Sequence, residues 1–460
     1  MKFKAAITQS RLRIVYVLMD FLTTSIAWFA FTAFRCWGAK AQVSLVDYYH
    51  WTTIWAEQLC VPFFMLALFW LSGYYNDVHN RSRVQEFLMT ITSCCVGAII
   101  IFFLAVINDD LLRRRFFYMQ LGIMSSLFTI FVYIGRLSIT TIGVRNTHRR
   151  RRFYSAWMVG RDPEAFKLAE RINNLPQGMG IEIVGHLPET LENFEKLCSR
   201  TVVTRVVISP ALSNSNKMPF LLSRLLPTDV LVYVSPNIYE LTSSFRRIGN
   251  VRGEPLVEIS RPHISPMVVN CKRVTDVLVS AIALVVLSPI MLALAIIIKC
   301  TSHGPVIYRQ KRMGLRKREF SILKFRSMVE NAEEATGPTL STNDDPRITP
   351  IGRFMRKYRL DELPQFVNIL RGEMSLVGPR PERRFFADQI AAREPMYSMI
   401  YQVRPGLTSW GMVKFGYASS IDDMIQRLRF DLIYLENISI TTDLKILLHT
   451  VNTVVSGSGK

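Results

Sequence analysis

Two adjacent carboxylates, Asp361 and Glu362, open the segment LDELPQFVNIL, and four cations stand just before them: Arg353, Arg356, Lys357 and Arg359. Leu360, Leu363, Phe366, Val367 and Leu370 recur at helical spacing. Pro364 is tolerable only in a helix's first turn, where its missing N–H would be unpaired anyway. The pattern therefore places Asp361 and Glu362 at a helix N-terminus, whose free N–H groups and partial positive charge favour anions. Two carboxylates beside several arginines suit phosphate chemistry. One carboxylate can attack phosphorus or hold Mg²⁺, the other can assist, and the cations neutralise developing charge. A capping Asp followed by a dipole-satisfying Glu explains the same spacing equally well.

More cations stand in stiff settings. Arg380 lies between Pro379 and Pro381, and Arg404 precedes Pro405-Gly406. Lys324 and Arg326 alternate with apolar residues in LKFRSM, which reads as a strand presenting both cations on one face. Each alone is an ordinary solvated charge; together, beside rigid turns, they read as a phosphate-binding set. Gly457-Ser458-Gly459-Lys460 mimics the end of a nucleotide-binding loop but lacks the first glycine and a following helix.

The elements that must position these residues are unevenly distributed. The chain has 460 residues, 49% hydrophobic and 20% charged, with a formal charge of +20. Global disorder and coiled coil are excluded. Residues 1–152 carry 17 Lys/Arg against 7 Asp/Glu, residues 153–260 carry 11 against 11, and residues 299–460 carry 25 against 17. A basic excess confined to the apolar and C-terminal parts suits lipid headgroups or phosphorylated substrates better than nucleic acid. None of the seven cysteines forms a CxxC pair and no HExxH occurs, so disulfide, zinc and histidine-metal sites are not expected.

Apolar runs at about 14–34, 54–73, 87–107 and 116–139 each approach the ~20 residues a crossing helix needs. Lys2, Lys4, Arg11, Arg13, Arg81, Arg83 and His148–Arg152 put both ends in the cytoplasm, against Arg113–Arg115 in a loop this topology sends outside. No run shows a buried pair of charges of the kind that marks a transport path, so residues 1–150 read as an anchor. Residues 151–262 alternate strands with amphipathic stretches, the strands being Ala156–Val159, Ile181–Val184, Arg205–Ile208 and Val230–Val234, with a helix at Pro163–Ile172. That is an α/β domain with a parallel sheet. Its first turn has one glycine, Gly160, where a dinucleotide fingerprint needs three, so a structural or regulatory role is expected. A fifth apolar run, 274–298, opens the last part, 263–460. It is broken by Ser288-Pro289 and has basic residues at both ends, Lys272, Arg273 and Lys299. A helix–break–helix that enters and leaves by one leaflet satisfies these features, with the Ser288 hydroxyl serving a freed carbonyl. Asp276 is expected to pair with Lys272 or Arg273.

Residues from about 270 to 460 resemble the bacterial sugar transferases, the polyprenyl-phosphate phosphoglycosyltransferases with a monotopic catalytic core. The resemblance rests on KRVTD, Ser288-Pro289, YRQKRMG, LKFRSM, RLDELPQFVNILRGEMSLVGPRPE and YQVRPGLTSWG, in that order. The four N-terminal helices and the Rossmann-like α/β domain are similar to the family's long form. The resemblance implies a membrane protein of the bacterial inner membrane, with a re-entrant helix and an α-rich catalytic domain facing the cytoplasm. It implies that Asp361 attacks the β-phosphorus of a UDP-sugar, that UMP leaves, and that undecaprenyl phosphate then takes the phosphosugar. Glu362 completes the dyad, Mg²⁺ is held at least partly by Asp361, and Pro379-Arg380-Pro381 contacts the nucleotide side. Lys324, Arg326 and Arg404 would contact phosphate. The implied partners are the UDP-sugar, undecaprenyl phosphate and membrane lipid, with no nucleic acid; a homodimer is compatible. The pathway implied is the start of exopolysaccharide, capsule or O-antigen synthesis. Two rivals are weighed. A tethered nucleotide-sugar dehydratase needs a YxxxK pair, and no tyrosine is followed four residues later by lysine. A non-catalytic scaffold of polysaccharide assembly would not need the intact Asp361-Glu362 pair.

Overall fold

The computed structural model describes residues 2–38, 52–76, 83–106, 114–148, 154–175, 181–191, 194, 205–213, 215–228, 230–235, 256–259, 264–329, 345–416 and 418–455. The chain forms two compact units. One comprises Met1–Phe153 with Pro176–Gly180 and Ser265–Asn270, and the other comprises the rest.

In the first unit, α1 (Lys2–Gly38), α2 (Thr52–Leu71), α3 (Arg83–Ile101) and α4 (Arg114–His148) follow the four apolar runs. Among the described residues, Leu12–Cys36, Arg83–Leu104 and Tyr118–Ile142 are long and apolar enough to cross a membrane. The apolar helix Trp55–Leu71, interrupted by Pro62, is shorter. Trp28, Phe31, Met65, Phe69, Met124 and Phe128 fill the bundle's core, while Leu18, Leu22, Phe63 and Ile134 lie exposed on its outside. Apolar side chains both inside and outside are what a lipid-facing bundle requires. Arg81, Arg113 and Arg149–Arg152, used above to orient the helices, lie outside the described residues.

The bundle corrects one expectation, because it does hold a buried pair of charges. Arg136 of α4 donates from Nε (2.9 Å) and Nη2 (2.7 Å) to the two oxygens of Asp20 of α1, both side chains being fully buried. Nη1 reaches Thr90 Oγ1 at 2.8 Å, and the Tyr75 hydroxyl donates to Asp20 at 2.7 Å. Glu86, buried at the start of α3, accepts from the Tyr74 and Thr140 hydroxyls. The partners stand on different helices, 116 residues apart for Asp20 and Arg136, so each charge looks solitary in the sequence.

The second unit contains the α/β region. Strands β1 (Tyr154–Val159), β2 (Ile181–Leu187), β3 (Arg205–Ile208), β4 (Leu231–Val234) and β5 (Val257–Glu258) form one sheet in the order β2-β1-β3-β4-β5. The first three pairings are parallel and the last is antiparallel. Helix α5 (Pro163–Asn174) starts with Asp162 accepting from the Ala165 amide at 2.7 Å, and it buries Ala165, Leu168, Ala169 and Ile172 at helical spacing. The Asp162 carboxylate also accepts from Ser209 Oγ at 2.6 Å. The protein's own carboxylate thus occupies the helix N-terminus where a bound phosphate would sit.

Helix α6 (Pro266–Val286) and α7 (Ser288–Thr301) form a pair bent by 60°. Pro289 stands at the start of α7, where no N–H is needed, and Ser288 Oγ donates to the Val285 carbonyl at 2.7 Å. Asp276 departs from expectation. It accepts the Leu376 amide at 2.9 Å, while Lys272 pairs with Asp443, and Arg273 donates to the carbonyls of Ile369 (2.7 Å) and Leu370 (2.9 Å). A buried carboxylate next to a strand end satisfies a backbone donor, and the flanking cations find better acceptors elsewhere. Behind this pair lie the hairpin of β6 (Ile307–Met313) and β7 (Glu319–Phe325), then α8 (Pro350–Lys357), α9 (Gln365–Arg371) and α10 (Arg384–Arg393). The parallel pair of β8 (Ser375–Val377) and β9 (Gly406–Thr408) follows, with α11 (Trp410–Lys414), α12 (Ile421–Glu436) and α13 (Ile440–Val455) closing the chain.

Candidate active site

The two carboxylates do not begin α9 itself. They form a separate 3₁₀ turn, Leu360–Glu362, entered through Arg359 at φ 56°, and Pro364 is the last residue before the helix. The apolar spacing is divided accordingly. Leu360 and Leu363 pack toward Leu294, Ile298, Phe325 and Met355, whereas Phe366 packs toward Ile322, Ile369 and Met374. The inward face of α9 carries Gln365, Asn368 and Ile369 instead of a purely apolar stripe.

Asn368 explains the polar choice. Its Oδ1 accepts the Leu323 amide at 3.0 Å and its Nδ2 donates to the Ser321 carbonyl at 2.8 Å. One fully buried amide thereby fixes strand β7 against α9, and the next residue on that strand is Lys324. Lys324 Nζ donates to Glu362 Oε1 at 2.8 Å, and Arg380 Nη2 lies 3.6 Å from the same oxygen. Sequence reasoning missed Asn368; a lone amide inside an apolar helical repeat was the available signal.

Both carboxylates are buried, but only one is neutralised. Burial raises the Asp361 carboxyl to about 6, with Lys324 opposing and the Glu362 charge reinforcing the rise. For Glu362 burial acts in the same direction, yet Lys324 and Arg380 outweigh it and hold the group below the usual carboxylate range. Among the described residues no cation forms an ion pair with Asp361. An unpaired carboxylate beside a fully charged one is the arrangement that separates a reacting group from its support.

Pro379-Arg380-Pro381 is carried on the β8–β9 pair. Gly378 N donates to Thr408 O at 3.0 Å and Gly406 N to Pro379 O at 2.9 Å. A Cβ on Gly406 would lie 2.1 Å from Gly378 N, so two glycines let these backbones touch.

The remaining predicted residues are not bonded to the dyad. Strand β7 ends at Phe325, and Arg326 turns to Ser302 at the end of α7, donating to its carbonyl (2.8 Å) and hydroxyl (2.7 Å). Arg404 Nε donates to the Gly372 carbonyl at 2.9 Å, at the far end of α9 from the dyad. Burial lowers its affinity for a proton, and the neighbouring Arg273 charge adds to this.

No group of three His, Cys, Asp or Glu able to hold a metal ion occurs among the described residues. Mg²⁺ asks for less, being commonly held by one or two carboxylates with substrate phosphates completing the octahedron. The unpaired Asp361 fits that requirement.

The chain thus combines a bundle of apolar helices, a largely parallel sheet and a buried Asp-Glu turn whose Glu362 is met by Lys324 and Arg380. Residues 267–457 match the model of the bacterial sugar transferase family. A UDP-glucose:undecaprenyl-phosphate glucose-1-phosphate transferase of Caulobacter vibrioides is 41% identical over 187 residues, which are 40% of this chain and 70% of that protein. A UDP-N-acetylgalactosamine-undecaprenyl-phosphate N-acetylgalactosaminephosphotransferase of Aeromonas hydrophila is 44% identical over 195 residues, 42% of this chain and 46% of the relative. The UDP-glucose:undecaprenyl-phosphate glucose-1-phosphate transferase of Escherichia coli K12 is 31% identical over 280 residues, 60% of this chain and 59% of the relative. The chain thus spans about half the length of the last two. This protein belongs to the bacterial sugar transferase family.

Proposed function

We propose that this protein transfers a sugar-1-phosphate from a UDP-sugar to undecaprenyl phosphate, releasing UMP, as the first membrane step of a surface polysaccharide. The observation that carries the reading is the asymmetric dyad: Asp361 buried and unpaired, Glu362 held by Lys324 and Arg380. In this reading an Asp361 oxygen attacks the β-phosphorus of the donor and the bond to the UMP oxygen breaks. The phosphosugar remains on the aspartate as an acyl phosphate. An oxygen of undecaprenyl phosphate then attacks that phosphorus, the aspartyl bond breaks, and the carboxylate is restored. Glu362, with its two cations, fixes the turn and orients the incoming groups. Arg380 and Lys324 face the charge that develops on the phosphoryl oxygens. Asp361 and the donor's phosphate oxygens would hold Mg²⁺, which when bound offsets the diphosphate charge.

A soluble donor and a lipid acceptor sharing one nucleophile require a site at the membrane surface. Support comes from the two helices of the bent α6–α7 pair, both bonded to the same folded body. Lys272, Arg273 and Asp276 within the first helix reach Asp443, Ile369 and Leu376, and Ser302 at the end of the second receives Arg326. That arrangement suits a re-entrant helix with the catalytic part, 263–460, on the cytoplasmic face of the inner membrane. Residues 1–150 then serve as membrane anchor. Residues 151–262 form a Rossmann-like domain whose helix N-terminus is filled by Asp162, which favours a structural role.

The test is UMP release by the full chain in detergent or nanodiscs with Mg²⁺, undecaprenyl phosphate and a panel of UDP-sugars, beside Asp361→Asn. Release with one sugar, absent in the variant, is expected and names the donor. Equal release by the variant would remove Asp361 as nucleophile. Retention of a labelled phosphosugar on wild-type protein without acceptor checks the covalent step.

A further inference from the structure

Glu382 follows Pro379-Arg380-Pro381 directly and is 5% exposed. It stands between two arginines from elements far apart in sequence. Arg427 of α12, also 5% exposed, donates from Nη2 to Oε1. Arg312 of β6 lies 3.5 Å from Oε2 through Nη1, and the same nitrogen donates to the Pro381 carbonyl at 3.2 Å. The Glu382 carbonyl accepts the Met313 amide at 2.9 Å. Residues 381 and 382 are therefore tied to β6 by backbone and side chain, while Pro379 is tied to Gly406 on the other side. Arg380, between these two ties, reaches toward Glu362.

The surroundings are built to admit the network. A Cβ on Gly411 would meet Arg427 Cγ at 2.5 Å, so the glycine of the SWG motif leaves the channel along which Arg427 reaches Glu382. Asp431, one turn beyond Arg427, accepts the Gly411 amide at 3.1 Å and closes the arrangement. A buried guanidinium and a half-buried one sharing one carboxylate are far more than a surface strap needs. Charge-assisted contacts from two sides fix the carboxylate's direction as well as its energy, one nitrogen coming from each arginine.

We propose that Glu382 is a positioning residue for the transfer reaction, aiming Arg380 at the donor diphosphate by holding the Pro-Arg-Pro strap between Arg312 and Arg427. This rests on the function proposed above. Glu382 touches no substrate; its effect passes through Arg380. A displacement of about 1 Å in a positioning group can lower rates by up to ~10²-fold.

The experiment compares Glu382→Gln, Arg380→Ala and the double variant in full-length protein, varying UDP-sugar and undecaprenyl phosphate separately. Glu382→Gln is expected to raise the donor KM about tenfold and to leave the acceptor KM within about twofold. In the Arg380→Ala background the same change is expected to cost less than about twofold, since the group it aims is already gone. Arg312→Lys, which keeps the charge but loses the planar guanidinium that Gln310 Oε1 orients through Nε and Nη2 while Nη1 meets Pro381 and Glu382, is expected to raise the donor KM severalfold. It carries the same test in the Arg380→Ala background if Glu382→Gln does not fold. Equal cost with and without Arg380, or equal loss toward both substrates, would overturn the positioning role and reduce Glu382 to a fold residue. Wild-type protein that turns over no UDP-sugar would instead overturn the proposed function, and this inference with it.

Discussion

The helix bundle and the Asp-Glu turn both bury charge, and they treat it in opposite ways. In the bundle, three guanidinium nitrogens of Arg136 are matched by Asp20 and Thr90, and its face is stacked on Tyr74 at 3.5 Å and Phe69 at 4.2 Å. Glu86 is likewise covered by two hydroxyls. In the Asp-Glu turn, Glu362 has two cations and Asp361 beside it has none among the described residues. A fully paired buried charge fixes neighbours and has no capacity left for a ligand. A half-paired one is strained toward protonation and keeps a free oxygen. Burial alone does not mark chemistry; on the proposed function, the incomplete pairing of a buried charge is the better pointer.

The largest expected effect breaks the comparison if it fails. Asp361→Asn should lower turnover by roughly 10⁴-fold or more, as loss of a covalent nucleophile does. Asp20→Asn should leave turnover per folded molecule within about twofold, since its carboxylate serves only helix packing. UMP release normalised to folded protein measures both. A large, specific loss of turnover in Asp20→Asn would show that the bundle's charge pair takes part in the reaction.

Stability should reverse the order. Arg136→Gln leaves Asp20 buried without its partner, at a cost of about 3–5 kcal/mol. Thermal unfolding in detergent should show a markedly lower midpoint, partly restored in the double variant Asp20→Asn with Arg136→Gln. An unchanged midpoint in Arg136→Gln would mean the pair contributes nothing. Asp361→Asn should move the other way. Burial pushes the native Asp361 carboxyl up to about 6 from its ordinary 3.8, so its ionisation weakens the fold progressively between those values and constantly above them. Removing the charge should therefore raise the midpoint above pH 6 and have little effect below pH 4.

The same titration governs the rate. Attack needs the ionised form, so donor kcat/KM should climb about tenfold per pH unit below 6 and level off above it. Lys324→Met removes the cation that most favours ionisation of Asp361, so the midpoint should move to higher pH. A profile flat from pH 5 to 8 in the wild type would contradict the half-paired reading of Asp361.

Much of this was legible in the sequence, for reasons that can be named. Helix α5 announced itself through Asp162, Pro163 and four apolar residues at helical spacing. The bend at Ser288-Pro289 follows from a proline that cannot continue a helix, and the serine repairs the freed carbonyl locally. The dyad and the Pro-Arg-Pro strap stood out because each is a run of consecutive residues. What was not legible is long-range pairing. Arg136 needed Asp20, Glu382 needed Arg312 and Arg427, and Asp276 chose the Leu376 amide over the lysine beside it. Spacing within one segment holds no information about such partners. Asn368 fell between the two cases, visible as an anomaly but not interpretable until β7 lay against it.

Arg404 gives the smallest and most discriminating prediction. Its place before Pro405-Gly406 suggested a phosphate contact, on the same footing as Arg380. The two now differ in what they meet. Arg380 faces Glu362, whereas Arg404 donates to the carbonyl of Gly372, which ends α9 in the left-handed region at φ 81°. Arg273 donates to the Ile369 and Leu370 carbonyls, the first of which also accepts the Gly372 amide, so two guanidiniums complete this helix end. A cation there also favours the negative end of the helix dipole. Arg404→Gln should thus cost about 1 kcal/mol of stability and change the donor KM by less than about twofold, against a rise of about tenfold or more for Arg380→Ala. Steady-state kinetics on the two variants, with melting midpoints alongside, decides the matter. A donor KM raised as far by Arg404→Gln as by Arg380→Ala would bring both ends of α9 into the phosphate site, and the distinction between paired and half-paired charge would have to be redrawn to include a helix cap.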